Sequence, residues 1–133
     1  MFLDRLNDNE KVMFLDLAVY VAQCNGVVDV QEKNMLLQYC HEMGIAFYDV
    51  SKLHLFDDVK TCFSKSSESI KRIVVLEILG LCYADGEFDN IEKSFVYGFA
   101  NSIGVNDNVY QDLSRDIREY SAILGIIEGH ISE

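Results

Sequence analysis

The feature that most constrains this chain is a motif that occurs twice, 60 residues apart. Residues 24–33 read CNGVVDVQEK and residues 84–93 read ADGEFDNIEK, with the glycine, the sixth-position aspartate and the final Glu-Lys pair in register. The correspondence continues to Gly44 and Gly104. Each copy follows an apolar stretch and begins an amphipathic one. Similarity at a fixed interval is typical of a duplicated supersecondary unit, here predicted to be helix, acidic turn and helix.

Size and composition favour one all-α domain, a helical bundle with an internal pseudo-two-fold repeat. The 133 residues correspond to a single ordinary domain, and a half of about 60 residues would have only a marginal core by itself. Proline is absent, which suits long helices because proline costs about 3 kcal/mol in a helix interior. We predict a single domain over residues 1–133 with about six to eight helices. Its repeat halves span about 8–45 and 68–105, and a terminal helix spans about 107–131.

The charge balance restricts the partners. The chain has 11 basic and 22 acidic residues, a formal charge of -11, which repels phosphate backbones and anionic membrane surfaces. No signal peptide is recognisable at the N-terminus, and the most apolar stretch, 73–84, is too short to span a bilayer. We therefore expect a cytoplasmic protein that binds neither nucleic acid nor membrane. Four cysteines without metal-binding spacing are expected to be reduced thiols.

The predicted helices differ in how their apolar residues are distributed. Residues 12–24 and 70–84 are apolar on nearly every side, which predicts two buried central helices. Asn7 or Asp8 is expected to cap the first helix, and a serine in the polar stretch 64–69 is expected to cap the second. Gly44 and Gly104 are predicted to end helices in the left-handed conformation. Between the two halves of the repeat, residues 48–64 are predicted to form one or two short helices.

The terminal helix carries an apolar stripe at heptad spacing. Its members are Tyr110, Leu113, Ile117, Tyr120, Leu124, Ile127 and Ile131. One interpretation is that the stripe packs on the body of the same molecule. The alternative is a homodimer seam or a helix that binds another protein. Gly125 and Gly129 weaken the far end of the helix in either case.

The acidic turns allow two interpretations. Asp85, Glu87, Asp89 and Glu92 lie within eight residues, and carboxylates so close raise each other's pKa unless a cation such as Ca²⁺, Mg²⁺ or Mn²⁺ relieves the repulsion. The alternative is helix capping, because an aspartate followed three residues later by a glutamate has capping-box spacing. Carboxylates at a helix start also favour the positive end of its dipole. Neither turn has the ligand set of an EF-hand loop.

The run ADGEFDNIE at 84–92, after an apolar helix, resembles the acidic signature of the TerB-like family. The resemblance covers about residues 10–103, and the motif occurs once in each half. It implies an all-α, pseudo-two-fold bundle, a link to tellurite and other stress responses, and an acidic metal site. Carried over, that site falls on Asp85, Glu87, Asp89 and Glu92, with Asp29 and Glu32 from the first copy. The first copy departs from the family pattern, because Asn25 and Val27 stand where the family has acids.

No motif in the chain predicts catalysis. The sequence contains no Glu-x-x-His, His-Glu-x-x-His, Gly-x-Ser-x-Gly or P-loop pattern. We predict a non-enzymatic binding or adaptor module, stress-linked and cation-dependent through its acidic turns. The alternative is a structural interaction domain that acts through the C-terminal helix, with the acidic turns only capping helices. A metal-assisted hydrolase using the carboxylates is the third hypothesis.

Overall fold

The computed structural model of this chain describes residues 1–24, 30–83 and 89–132, and the side chains of 30–32 are not described. Within these ranges the chain is all-α, with six α-helices, two short 3₁₀ helices and no strand, which confirms the predicted fold class. The helices are α1 (Asp8–Gln23), α2 (Val30–Met43), α3 (Phe56–Ser64), α4 (Glu68–Tyr83), α5 (Asn90–Ser102) and α6 (Asp107–Ile131). The 3₁₀ helices span Leu3–Arg5 and Val50–Lys52.

Helices α1 and α4 form the centre of the bundle, as predicted. Both have buried side chains on most sides, including Phe14 and Leu17 on α1 and Ile78 on α4. Helix α1 begins with a complete capping box, in which the Asn7 side chain accepts from the Glu10 N–H at 2.8 Å and the Glu10 carboxylate accepts from the Asn7 N–H at 2.9 Å. The burial of two helices that are apolar on most sides supplies the main driving force for folding.

The helix boundaries repeat at the interval of the sequence motif. Helices α1 and α4 both have 16 residues and begin at Asp8 and Glu68. The helices that follow them end near Gly44 and Gly104, which have φ values of 70° and 93°. Only glycine adopts this left-handed conformation without strain, so the predicted helix ends are confirmed. The helices that come third in the two halves differ in length, since α3 has 9 residues and α6 has 25.

Helix α6 is the longest element, and only its first half is covered by the bundle. It packs mainly against α4, and its Tyr110 and Ile117 side chains are buried. Helices α4 and α6 approach each other closely, because a Cβ added at Gly80 of α4 would lie 3.6 Å from Ile117 Cδ1 of α6. The Asn106 side chain caps the helix by accepting from the Val109 N–H at 2.9 Å. The predicted span of 107–131 is confirmed.

Candidate functional site

The acidic turns lie largely outside the described residues. Of the six predicted metal ligands, Asp29, Asp85 and Glu87 fall in the ranges that are not described, and the same is true of the Glu32 side chain. Asp89 and Glu92 are described. Among residues 1–24, 30–83 and 89–132, no three His, Cys, Asp or Glu side chains come together as a group that could hold a metal ion. The cation site therefore stays a prediction.

Asp89 is the N-cap of α5. Its Oδ1 atom accepts from the Glu92 N–H at 2.8 Å, which confirms the aspartate half of the predicted capping box. The Glu92 side chain is only 4% exposed. Because it lies in the first turn of α5, the positive end of the helix dipole stabilises its carboxylate there. The geometry of these two residues is that of a well-formed helix start.

The sequence analysis missed a hydrogen-bonded cluster around Asp16 of α1, which is 1% exposed. The Tyr48 hydroxyl donates to Asp16 Oδ1. His54 Nδ1 lies 2.6 Å from Asp16 Oδ2, and the His54 N–H donates to the same oxygen at 3.2 Å. In addition, the Tyr20 hydroxyl donates to the His54 carbonyl at 2.7 Å. These bonds tie the connection between α2 and α3 to the central helix, so a buried carboxyl group is satisfied by a loop distant in sequence.

The Asp16 cluster orients an imidazole, which is one part of an acid–base site. His54 itself is exposed. Burial raises the pKa of Tyr48, and the hydrogen bond and charge of Asp16 raise it further, so this hydroxyl stays a neutral donor. The cluster acts as a structural clamp, because its hydrogen bonds join the connection between α2 and α3 to α1.

A second acidic cluster binds the start of the chain. The Met1 amine lies 2.6 Å from a Glu42 oxygen and 3.0 Å from a Glu77 oxygen. The Phe2 N–H donates to Glu77 and the Leu3 N–H donates to Glu42, both at 2.9 Å. Desolvation lowers the pKa of the amine, but hydrogen bonds and charge interactions with the two glutamates outweigh it, and the net pKa is raised. This arrangement holds the first residues against α2 and α4.

The second half of α6, which we call the α6 overhang and define as residues 119–131, is exposed throughout. Its large apolar side chains are between 40% and 76% exposed. They are Tyr120, Ile123, Leu124, Ile126, Ile127 and Ile131. Single exposed apolar residues are ordinary, but contiguous ones mark interaction surfaces. The predicted stripe is thus divided, with its first half on the body and its second half uncovered among the described residues.

A groove runs between the overhang and α2. Its volume is about 360 Å³. Met35 and Tyr39 line it on α2, while Tyr120 and Leu124 line it on α6. The apolar surface of the overhang therefore continues onto the body.

The described residues include all four cysteines, and no disulfide joins them. No described helix is both long and apolar enough to cross a membrane.

Comparison with known proteins gives no match to a protein-family model, a curated protein or a solved structure. The TerB-like resemblance stays a prediction that depends on the acidic motif alone.

Proposed function

We propose that this protein is a non-enzymatic interaction module that works through the α6 overhang, and that the overhang pairs with a second copy of the chain. The observation that carries the proposal is the row of exposed apolar side chains on the overhang. A segment of 13 residues with two glycines is only marginally helical by itself. Pairing with another helix both buries the stripe and stabilises the segment that displays it.

The stripe is self-complementary in an antiparallel pair. Suppose that two overhangs cross between Gly125 and Ile126. Each residue of one copy then lies opposite the residue of the second copy for which the two residue numbers add up to 251. Tyr120 then lies opposite Ile131 of the second copy, and Leu124 lies opposite its Ile127. A two-fold pair of this kind uses the same patch on both copies, which is the commonest arrangement of homodimers.

The charges of the overhang do not oppose this pairing. Glu119 and Glu128 are its only carboxylates. With the same crossing point, Glu119 lies opposite Ser132 and Glu128 lies opposite Ile123, so no carboxylate of one helix lies opposite a carboxylate of the other. The repulsion that comes from the net charge of -11 acts over a longer range and is screened beyond about 8 Å at physiological salt.

The buried area predicts a weak and reversible dimer. Completing the burial of a half-exposed leucine or isoleucine contributes about 1 kcal/mol, so about ten such side chains in the pair contribute about 10 kcal/mol. Association itself costs about 4–15 kcal/mol. With a cost in the lower part of that range, the net gain is about 4–6 kcal/mol, so we expect a dissociation constant between about 40 µM and 1 mM.

Sedimentation of the full chain across this concentration range tests the proposal. The wild type should show a monomer–dimer equilibrium. The double substitution Leu124→Ser/Ile127→Ser removes four apolar side chains from the dimer, about 4 kcal/mol, which weakens association by about a thousandfold. The variant should therefore sediment as a monomer at every concentration.

Ile126→Ser is the matched control, because Ile126 is 58% exposed but lies off the heptad stripe. It should dimerise nearly as well as the wild type. Far-ultraviolet circular dichroism shows whether each variant retains the fold of the body. A wild type that stays monomeric up to about 1 mM, or a stripe variant that dimerises as well as the control, contradicts the proposal.

A further inference from the structure

A cleft lies where the first residues of the chain meet the first half of α4 and the second turn of α6. Its volume is about 430 Å³, within the range of about 300–1,000 Å³ that is usual for small-molecule sites. The residues that line it are Phe2, Arg5, Glu68, Ser69, Arg72, Ile73, Leu76 and Leu113.

The lining residues are distant in sequence from the undescribed ranges. Those on α4 belong to its first half, whereas residues 84–88 follow the last residue of that helix. The start of the chain contacts α2 through Glu42, near the end of that helix, whereas residues 25–29 precede its beginning. The wall of the cleft is therefore built from described residues.

The floor of the cleft is apolar. Ile73 of α4 is 7% exposed, and Leu76 and Leu113 are half-buried against the core. Phe2 adds a half-buried ring from the start of the chain. Apolar side chains that are only partly covered gain free energy when a ligand covers the rest of their surface. The floor therefore favours a ligand with an apolar body.

Two arginines line the cleft beside this floor. Within residues 1–24, 30–83 and 89–132, neither Arg5 nor Arg72 forms an ion pair with a carboxylate. The Arg5 guanidinium lies over the Phe2 ring, 5.0 Å from its centroid, and this cation–π contact holds it close to the apolar floor. Both guanidinium groups therefore have donors that an anionic ligand can use.

The acidic side chains near the cleft have partners of their own. Glu68 contributes a carboxylate to the lining, and its Oε1 atom lies 3.5 Å from Lys71 Nζ. On α6, Asp112 and Asp116 both pair with Arg115, at 3.3 Å and 3.4 Å. The described lining thus has two arginines and one carboxylate, so its charge is opposite in sign to that of the whole chain.

The beginning of α4 adds a further attraction for an anion. The Ser67 hydroxyl accepts from the Ile70 N–H at 3.2 Å, while Glu68 and Ser69 line the cleft. Backbone N–H groups in the first turn of a helix have no partner within the helix and lie at the positive end of its dipole. The helix start therefore acts together with the two arginines.

From these observations we infer that the cleft is a binding site for a small monocarboxylic acid with an alkyl body. The carboxylate lies between Arg5 and Arg72, and the alkyl chain lies along the apolar floor. A planar guanidinium matches the two oxygens of a carboxylate, and the charge strengthens the hydrogen bonds. Because repulsion by Glu68 doubles for a dianion, a monoanion fits the lining better than a phosphate ester does.

The site is separate from the surface proposed for helix pairing, because none of the residues that line the cleft belongs to the overhang. The net charge of -11 does not oppose it, since screening confines the influence of distant surface charges to about 8 Å at physiological salt. The arginines and the helix start therefore dominate inside the cleft.

Octanoate is a simple probe that has both parts of the proposed ligand. In an amide chemical-shift titration of the full chain, we expect shifts centred on residues 2–5, 68–76 and 113 and a dissociation constant of about 1 mM. Hexanoate should bind about fourfold more weakly, about twofold for each methylene lost from a half-buried chain. Hexanol lacks the carboxylate and should bind at least about tenfold more weakly than hexanoate.

Arginine variants separate the site from general charge effects. Arg72→Gln should weaken octanoate binding about tenfold, and Arg5→Gln about fivefold, because each loses donors to the carboxylate. Arg118→Gln is the matched control, because it removes the same charge from an exposed arginine outside the cleft. It should change binding less than about twofold.

The outcome also distinguishes this site from the overhang. The stripe variant Leu124→Ser/Ile127→Ser should bind octanoate as well as the wild type does, whether or not the wild type dimerises. Shifts centred on residues 119–131, equal weakening by Arg72→Gln and Arg118→Gln, or no binding up to about 10 mM overturns the inference. Equal affinity for octanoate and hexanoate overturns the role of the apolar floor.

Discussion

The two halves of α6 carry one continuous heptad stripe but have different surroundings. In the first half Ile117 is 5% exposed and packs on α4, whereas in the second half Ile127 is 48% exposed. The stripe has apolar side chains at the same heptad spacing in both halves of α6. The comparison shows that periodicity identifies which face of a helix is buried, while the length of the neighbouring helices determines how much of that face the molecule itself covers.

Truncating one isoleucine in each half of α6 should reveal the largest difference between the two halves. Ile117→Ala should reduce the free energy of unfolding by about 2–5 kcal/mol, since it opens a cavity against α4. Ile127→Ala should change it by less than about 0.5 kcal/mol in the monomer. Urea unfolding at a concentration below the dimer range measures both. An equal loss of unfolding free energy at the two positions would show that the overhang packs on the body.

A smaller effect is expected from the glycines of the overhang. A Cβ added at Gly125 or Gly129 meets nothing within 4 Å, and the same holds for Gly98 in the middle of α5. Alanine stabilises a helix relative to glycine by about 1 kcal/mol per position. The substitution Gly125→Ala/Gly129→Ala should therefore raise the helical circular dichroism signal of the monomer without changing the urea midpoint. Gly98→Ala should raise the midpoint, because α5 unfolds with the body. A midpoint raised equally by both changes would contradict the independence of the overhang.

Much of the fold could be predicted because its signals are local. The cap at Asn7, the left-handed glycines and the span of α6 each depend on a few neighbouring residues, and all are confirmed. The apolar stretches likewise identified the two central helices. Patterns within about 15 residues hold most of this information.

The contacts between distant parts of the chain were harder to predict from the sequence. Asp16 and His54 meet only once the connection between α2 and α3 folds back on α1. Arg5 lies in the first 3₁₀ helix and Arg72 on α4, and they line one cleft only in the folded chain. No spacing rule connects such pairs. The acidic motif, in contrast, was visible in the sequence, and Asp89 proves to cap a helix.

Hydrogen exchange at two protein concentrations tests the central claim most directly. At a concentration below the dimer range, amides of the overhang should exchange almost without protection, while those of residues 111–118 stay protected by the body. At about 1 mM, protection should extend along the stripe toward Ile131. Protection that ends near Ile117 at both concentrations, or that covers the overhang at both, would contradict pairing between copies.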